Sequence, residues 1–459
     1  MQVPVPSKKS CWKEDDPMTD IIFSFDTEDF TSAYAADAVY EEAEILRKEG
    51  VKGGFCLVGL FAQQLQNWGK SAIMEALQHH VIGNHSYGHT LHPTINEYTD
   101  LEDFDEAQKE CLRQETESGE LIKKAVSGKP LVFGCPPGNQ KSYVAMYTYA
   151  DLGYPIYADT YCDTPDGDGM FYCNIYQTRY TYMLESSFKK LNTEEGIREI
   201  LDQLATKKRA IIYHHPHYAL VSECWDVLNY KKENLRPFGQ WEECKRREPE
   251  VTQNFYAGLK RLIQMIKADP RFRITNYEEL AEELAQEQQR VVGIADIPSL
   301  SASLQKEFFP VTDPCSLSIS DMFLACRDLL LGKTEHICGK VYGFLAQPAA
   351  ITEAATLSRE EMIRSAEAMD VSRFLPDRIK VGSQEIGPGD WLRAAMEVLK
   401  GAETVTIQPG PQLPSLDCAP SLRDCDFTKY RWMQSDDFQD NYLSERLRLQ
   451  AWTMRFLKK

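Results

Sequence analysis

The feature that most constrains this chain is an alternation, from residue 19 to about 290, of short apolar runs with longer charged segments. The runs are Ile21–Phe25, Gly54–Val58, Leu131–Phe133, Ile156–Ala158, Ala210–Tyr213 and Phe272–Thr275. Nearly continuous apolar runs of this length fit parallel strands buried on both faces. Between several of them lie segments with helical spacing: Asp37–Glu49, Leu101–Val126, Glu194–Ala205 and Asn254–Lys267. Strand then helix, repeated, predicts a parallel α/β architecture. A barrel is the leading form of it, and an open doubly wound sheet is the alternative.

At 459 residues the chain exceeds what one core usually serves, so further domains are expected. Residues 1–18 read as an N-terminal extension and 291–315 as a linker. Beyond it, Ser316–Gly332 and Glu385–Gly401 form a weak internal repeat, each with an extended start, an Asp, an aromatic, an apolar stripe and a Gly stop. This predicts a small, mainly helical domain over 316–407. Residues 408–459 read as a Pro-rich segment followed by an amphipathic helix.

Composition removes several function classes. A net charge of -18 repels phosphate backbones, so nucleic acid is not an expected partner. No apolar run approaches the ~20 residues needed to span a bilayer. The 13 cysteines are odd in number and irregularly spaced, which fits reduced thiols better than a disulfide framework. With no leader in the sequence as written, the expected compartment is cytoplasmic, or extracytoplasmic if a leader was trimmed.

The chemistry concentrates in four places. Eight of the nine histidines fall in two clusters, at 79, 80, 85, 89 and 92 and at 214, 215 and 217. In His85-Ser86-Tyr87-Gly88-His89, the i, i+4 spacing puts both imidazoles on one face of a helical turn, where they can hold a divalent metal. Asp26, Glu28 and Asp29 crowd three carboxylates directly after an apolar run. The run Ile211–Tyr213 leads into His214-His215-Pro216-His217, and Leu131–Phe133 leads into Gly134-Cys135-Pro136-Pro137-Gly138-Asn139. Strand C-terminal ends share one face of a parallel α/β protein, so all four features converge on it. Neighbouring strand side chains point to opposite faces, so His214 and His215 cannot both reach the site. Pro216 ends the ladder and places His215 at the strand mouth.

These features, in this order, resemble the polysaccharide deacetylase family, also called the NodB-homology or carbohydrate esterase 4 group. The resemblance covers residues 19 to about 290. Ser24-Phe25-Asp26 followed by Thr27-Glu28-Asp29 stands for the family's T-F-D-D motif, His85–His89 matches its H-S/T-x-x-H motif, and the strand ending at His214-His215 resembles its late L-x-H motif. The resemblance implies a distorted parallel (β/α) barrel and a divalent metal, zinc foremost, with cobalt, nickel and manganese as the other candidates. It implies Asp26 as general base, His85 and His89 as ligands, and a third ligand from Glu28 or Asp29. Glu28 is preferred, because some relatives use an acid-x-acid variant. It implies His215, or else His214, as general acid, and the Gly138 N–H as an oxyanion donor; Pro137 has no N–H to give. Cys135 stands where the family places an Arg, a departure in how the base is tuned.

The implied reaction removes an acetyl group from an N-acetylated or O-acetylated carbohydrate. Tyr87, Pro137, Asp159 and Tyr161 are the expected substrate contacts, with Tyr143, Tyr154 and Tyr157 as further rings for sugar stacking. The rival readings are a hydrolase of non-peptide C–N bonds in a small acylated amine, and an inactive carbohydrate-binding protein. The sequence does not set the oligomeric state.

Overall fold

The computed structural model describes residues 18–140, 142–158, 169–231, 236–237, 239–425 and 433–458. Ten strands build one sheet: β1 Thr19–Thr27, β2 Gly54–Leu57, β3 Val81–Asn84, β4 Leu131–Gly134, β5 Ile156–Tyr157, β6 Met170–Tyr172, β7 Ile175–Gln177, β8 Tyr180–Met183, β9 Arg209–His214 and β10 Phe272–Ile274. Their order is β6-β7-β5-β4-β3-β2-β1-β9-β8, and every pairing on that path is parallel except β6 with β7. β10 pairs with Thr19–Ile21 of β1, on the edge that β2 takes over from Ser24. The sheet is therefore mostly parallel and curls into a half-barrel, the α/β type expected. β3 and the short β6, β7 and β8 are absent from the sequence reading, being too brief or too mixed to show as apolar runs.

β1 is central because its apolar residues suit burial on both faces: Ile21, Ile22, Phe23 and Phe25 are fully buried. Inside the curl, Phe133 and Tyr277 stack with ring centroids 4.1 Å apart. The stack leaves no room for side chains below it: a Cβ on Gly54 would lie 2.4 Å from Tyr277, and one on Gly83 2.6 Å from Phe133. Helices cover the outside, and their starts follow local chemistry. Asp103 caps the helix Phe104–Ala125 by accepting from the Asp105 and Glu106 N–H groups, and Thr193 caps Glu194–Leu204.

A second core gathers around Phe323, Trp391, Phe344 and Trp452. It contains the helices Ile297–Lys306, Ile319–Leu330, Arg359–Ala368 and Pro388–Leu399, with three two-stranded antiparallel pairs. Much of the segment 291–315, read as a linker, is folded into this core. Val291–Gly293 is a strand, and Ile297, Leu300 and Leu304 bury one stripe of a helix. The intervening serines and alanine mask that stripe in the sequence. The two repeat copies start their helices alike. Asp321 accepts the Ser318 N–H at 2.9 Å, Asp390 accepts the Gly387 N–H at 3.3 Å, and both carboxylates are fully buried.

The tail joins the two cores. Leu443, Leu447, Ala451 and Met454 pack with the sheet's core, whereas Leu449 and Trp452 pack with the second. Asp100 accepts the N–H groups of Asn441, Tyr442 and Leu443, and the Arg446 guanidinium donates to the carbonyls of Leu101, Glu102 and Leu345.

Candidate metal and catalytic site

The strand ends converge as the topology requires. Glu28 follows β1, His85 follows β3, and His89 lies four residues on. The span 85–89 is not helical: Ser86 and His89 have φ of 67° and 53°, so a left-handed loop turns both rings inward. Ser86 Oγ accepts the His89 N–H at 3.1 Å and holds that loop. The structure brings the i, i+4 pair together, but through a loop and not on one face of a helical turn.

Glu28 Oε2 lies 3.4 Å from His85 Nε2 and 2.9 Å from His89 Nε2. One donor atom from each of the three residues lies within 4.8 Å of the others, and all three side chains are buried. His85 Nδ1 lies 3.0 Å from the Cys135 carbonyl, which can only accept, so that nitrogen donates and Nε2 is the one turned to Glu28. Among the described residues, His85 Nε2 has no hydrogen-bond partner. The Trp225 indole N–H donates to Glu28 Oε1 at 3.1 Å. Burial raises the Glu28 carboxyl, but the neighbouring imidazoles of His89, His215 and His85 outweigh it and hold it well below the ordinary range.

Asp29, the other candidate for the third ligand, turns away. It accepts the Thr31 N–H at 2.9 Å and the Thr31 hydroxyl at 2.6 Å, and burial pushes it up to about 7. A second donor group, Cys56, His85 and Cys135, converges as closely. Burial, then the Cys56 thiol and Asp26, hold Cys135 well above the ordinary thiol range, so it lacks the thiolate that a metal takes.

Asp26 faces the same space from β1. Tyr180 OH donates to its Oδ1 at 2.7 Å, and the Cys135 thiol lies 3.8 Å from that oxygen. The expected substitution of Cys135 for a basic partner is therefore completed by a tyrosine that the sequence reading missed. His215 Nε2 lies 3.7 Å from Asp26 Oδ2, and its Nδ1 is bonded to Glu185 on the turn after β8. Burial opposes a charge on His215, but the Glu185 and Glu28 carboxylates prevail and raise it to about 10. His214 points the other way, between Glu185 at 3.0 Å and the buried Glu42 at 3.4 Å, and packs on Phe255. Burial lowers His214, yet Glu42 and Glu185 raise it to about 9, while burial pushes Glu42 itself up. His214 thus stands behind Glu185 and not in the site.

A pocket of about 300 Å³ connects these groups; Asp26, Glu28, His85, His89 and His215 line it with Pro136, Gly138, Tyr180, Glu185, Tyr218, Cys224 and Asp226. Gly138 has φ 51°, and a Cβ there would fall 2.0 Å from Met433 Sδ, so both backbone and space demand glycine. Pro137 is not among the lining residues. Tyr87 lines a separate cavity of about 360 Å³ with Arg113 and Glu117. Tyr143, Tyr154 and Tyr157 are core residues, because their rings are buried. Asp159 and Tyr161 lie outside the described residues. Glu185, Tyr218, Trp225 and Asp226 were not read from sequence; only the proximity of Cys224-Trp225-Asp226 to the late histidines could have marked them.

No curated protein matches the sequence. Among solved structures, a CE4 family pseudoenzyme from Bacillus anthracis aligns at 15% identity over 59% of this chain and 66% of that chain, with a TM-score of 0.34. A family 4 carbohydrate esterase from Streptomyces lividans, in complex with acetate, aligns at 14% identity over 57% of this chain and 93% of that one, with a TM-score of 0.32. A 4-alpha-glucanotransferase from Thermococcus litoralis aligns at 10% identity over 58% and 40%, with a TM-score of 0.41. These superpositions are loose. Residues 13–157, which carry Asp26, Glu28, His85, His89 and the turn at Gly138, match the model described as polysaccharide deacetylase.

Proposed function

We propose that the chain is a metal-dependent deacetylase that releases acetate from an N-acetylated or O-acetylated carbohydrate. The observation that carries this is the convergence of Glu28, His85 and His89 in one pocket with a base, Asp26, and an acid, His215. Two imidazoles and a carboxylate with a buried, unpaired Nε2 fit a divalent metal, zinc first. Held by those three residues, the metal supplies Lewis-acid polarisation of the acyl oxygen and water of lowered pKa.

The protein's own groups account for the proton transfers. Asp26, steadied by Tyr180, takes the proton of the water that adds to the acyl carbon. Gly138 N–H donates to the oxyanion that develops. His215, kept protonated by Glu185, gives its proton to the leaving nitrogen or oxygen as the bond to the acyl carbon breaks. Acetate and a free amine or alcohol leave.

A second reading, hydrolysis of a C–N bond in a small acylated amine, is favoured by the pocket's volume of about 300 Å³, which suits one small ligand. Catalytic silence is disfavoured because base, acid and ligand set are all present together. The test is metal content of the purified protein, with acetate release assayed on N-acetylglucosamine oligomers and on small N-acetyl amines. His85→Ala and His89→Ala should each abolish stoichiometric metal without unfolding the chain. Full metal occupancy in the double variant, or no acetate from either substrate set, defeats the proposal.

A further inference from the structure

The loop after β9 ends at a dipeptide, Trp225-Asp226, that the reaction outlined above does not use. Both residues are buried, at 0% and 2% exposure. Trp225 fixes Glu28 through its indole N–H at 3.1 Å, and its ring lies against Phe30 and 5.5 Å from the His89 ring. Asp226 has one oxygen committed to its own loop: Oδ1 accepts the Val227 N–H at 2.8 Å and the Cys224 thiol at 2.6 Å. Its other oxygen, Oδ2, lies 3.6 Å from His89 Nδ1, an ion-pair distance rather than a hydrogen bond. Among the described residues, His89 Nδ1 has no hydrogen-bond partner of its own.

The two ligand histidines are therefore built alike. Each turns Nε2 towards Glu28 and Nδ1 towards a protein oxygen, the Cys135 carbonyl for His85 and the Asp226 carboxylate for His89. Metal-bound imidazoles nearly always carry such an oxygen on the outer nitrogen, which fixes the tautomer and raises ligand basicity.

We propose that Trp225-Asp226 is an outer clamp of the metal centre: Asp226 is a positioning residue that acts through His89, and Trp225 one that acts through Glu28. The proposal rests on the reading of Glu28, His85 and His89 as a divalent-metal site.

The test measures Zn²⁺ affinity by competition with a chromophoric chelator, together with thermal melting of the metal-free protein. Asp226→Ala should weaken Zn²⁺ binding by about 10- to 100-fold. Asp226→Asn, which keeps an acceptor oxygen but not the charge, should fall between that variant and wild type. Trp225→Phe should lose about tenfold. Metal-free melting should stay near wild type in all three, and Co²⁺ bound to Asp226→Ala should show a shifted visible spectrum. If Asp226→Ala does not fold, the isosteric Asp226→Asn decides. Wild-type affinity in the aspartate variants, while His89→Ala loses the metal, overturns this proposal alone. A loss of affinity matched by an equal loss of metal-free stability overturns it as well. Failure of the wild-type chain to take up Zn²⁺ or Co²⁺ overturns the metal reading and this proposal together.

Discussion

Asp26 and His215 face each other across 3.7 Å, and the carboxylates around His215 favour its charged form. Asp26→Asn should keep the metal and lose turnover by about 10²–10⁴-fold, the usual share of a positioned base. His215→Ala should keep the metal and lose most amide turnover, while an activated ester, whose leaving group needs little protonation, should suffer less. Because the carboxylates facing His215 raise it to about 10, the alkaline limb of the rate profile should lie near there. Glu185→Gln removes the strongest of those raising influences, so the acid form is lost earlier and the limb should move to lower pH. A pH–kcat profile of the two proteins checks this; coincident limbs would mean that Glu185 does not tune the acid. That His215 and not His214 lines the pocket was legible in the sequence, since strand alternation and Pro216 point to it. Tyr180 and Glu185 were not: a tyrosine and a glutamate in Tyr180–Ser186 carry no spacing that separates them from ordinary strand and turn residues.

Among the elements, the long apolar runs were readable because burial on both faces leaves a continuous signature, as in Ile21–Phe25. β3 escaped because its four residues, Val81–Asn84, include a glycine placed for the Phe133 ring above it and an asparagine that bonds the helix Phe104–Ala125. That helix holds a buried acid of its own. Glu115 is fully buried, bonded by Tyr149 OH at 2.7 Å and Asn84 Nδ2 at 3.0 Å, and burial raises it to about 7. Its proton is held more tightly in the folded state, so its contribution is fully present below the unfolded value of 4.5 and is lost as pH rises through about 7. The loss approaches ~3 kcal/mol at its upper end. Glu115→Gln keeps an acceptor for both donors and removes the titration. Denaturant unfolding between pH 4.5 and 8 should show a flatter stability curve for the variant and a more stable protein above pH 7. A parallel pair of curves would exclude Glu115 as the source.

At the scale of the whole molecule, we propose residues 19–290 as the catalytic unit and 291–407 as a second body, with 408–459 belonging to both. The tail's apolar residues divide between the two cores, and Tyr147 OH reaches Gln450 Oε1 at 2.8 Å. A chain ending at Ile407 should therefore lose cooperative unfolding in the sheet as well as in the second body, read as non-coincident transitions by tryptophan fluorescence and far-UV circular dichroism. A sharp, coincident transition would show that the sheet closes without the tail. None of this was legible in the Pro-rich and basic composition of the tail, because partners hundreds of residues away leave no local pattern. One contact gives the arrangement a direction in time. Met433 rests on Gly138, the turn assigned to the oxyanion, and nearly three hundred residues separate them in the order of synthesis. At ordinary translation speeds that is a delay of roughly 15–60 s. The ribosome thus finishes the strands that carry the candidate site well before it makes the residue packed on that turn, and a nascent or prematurely terminated chain holds Glu28, His85 and His89 without that contact.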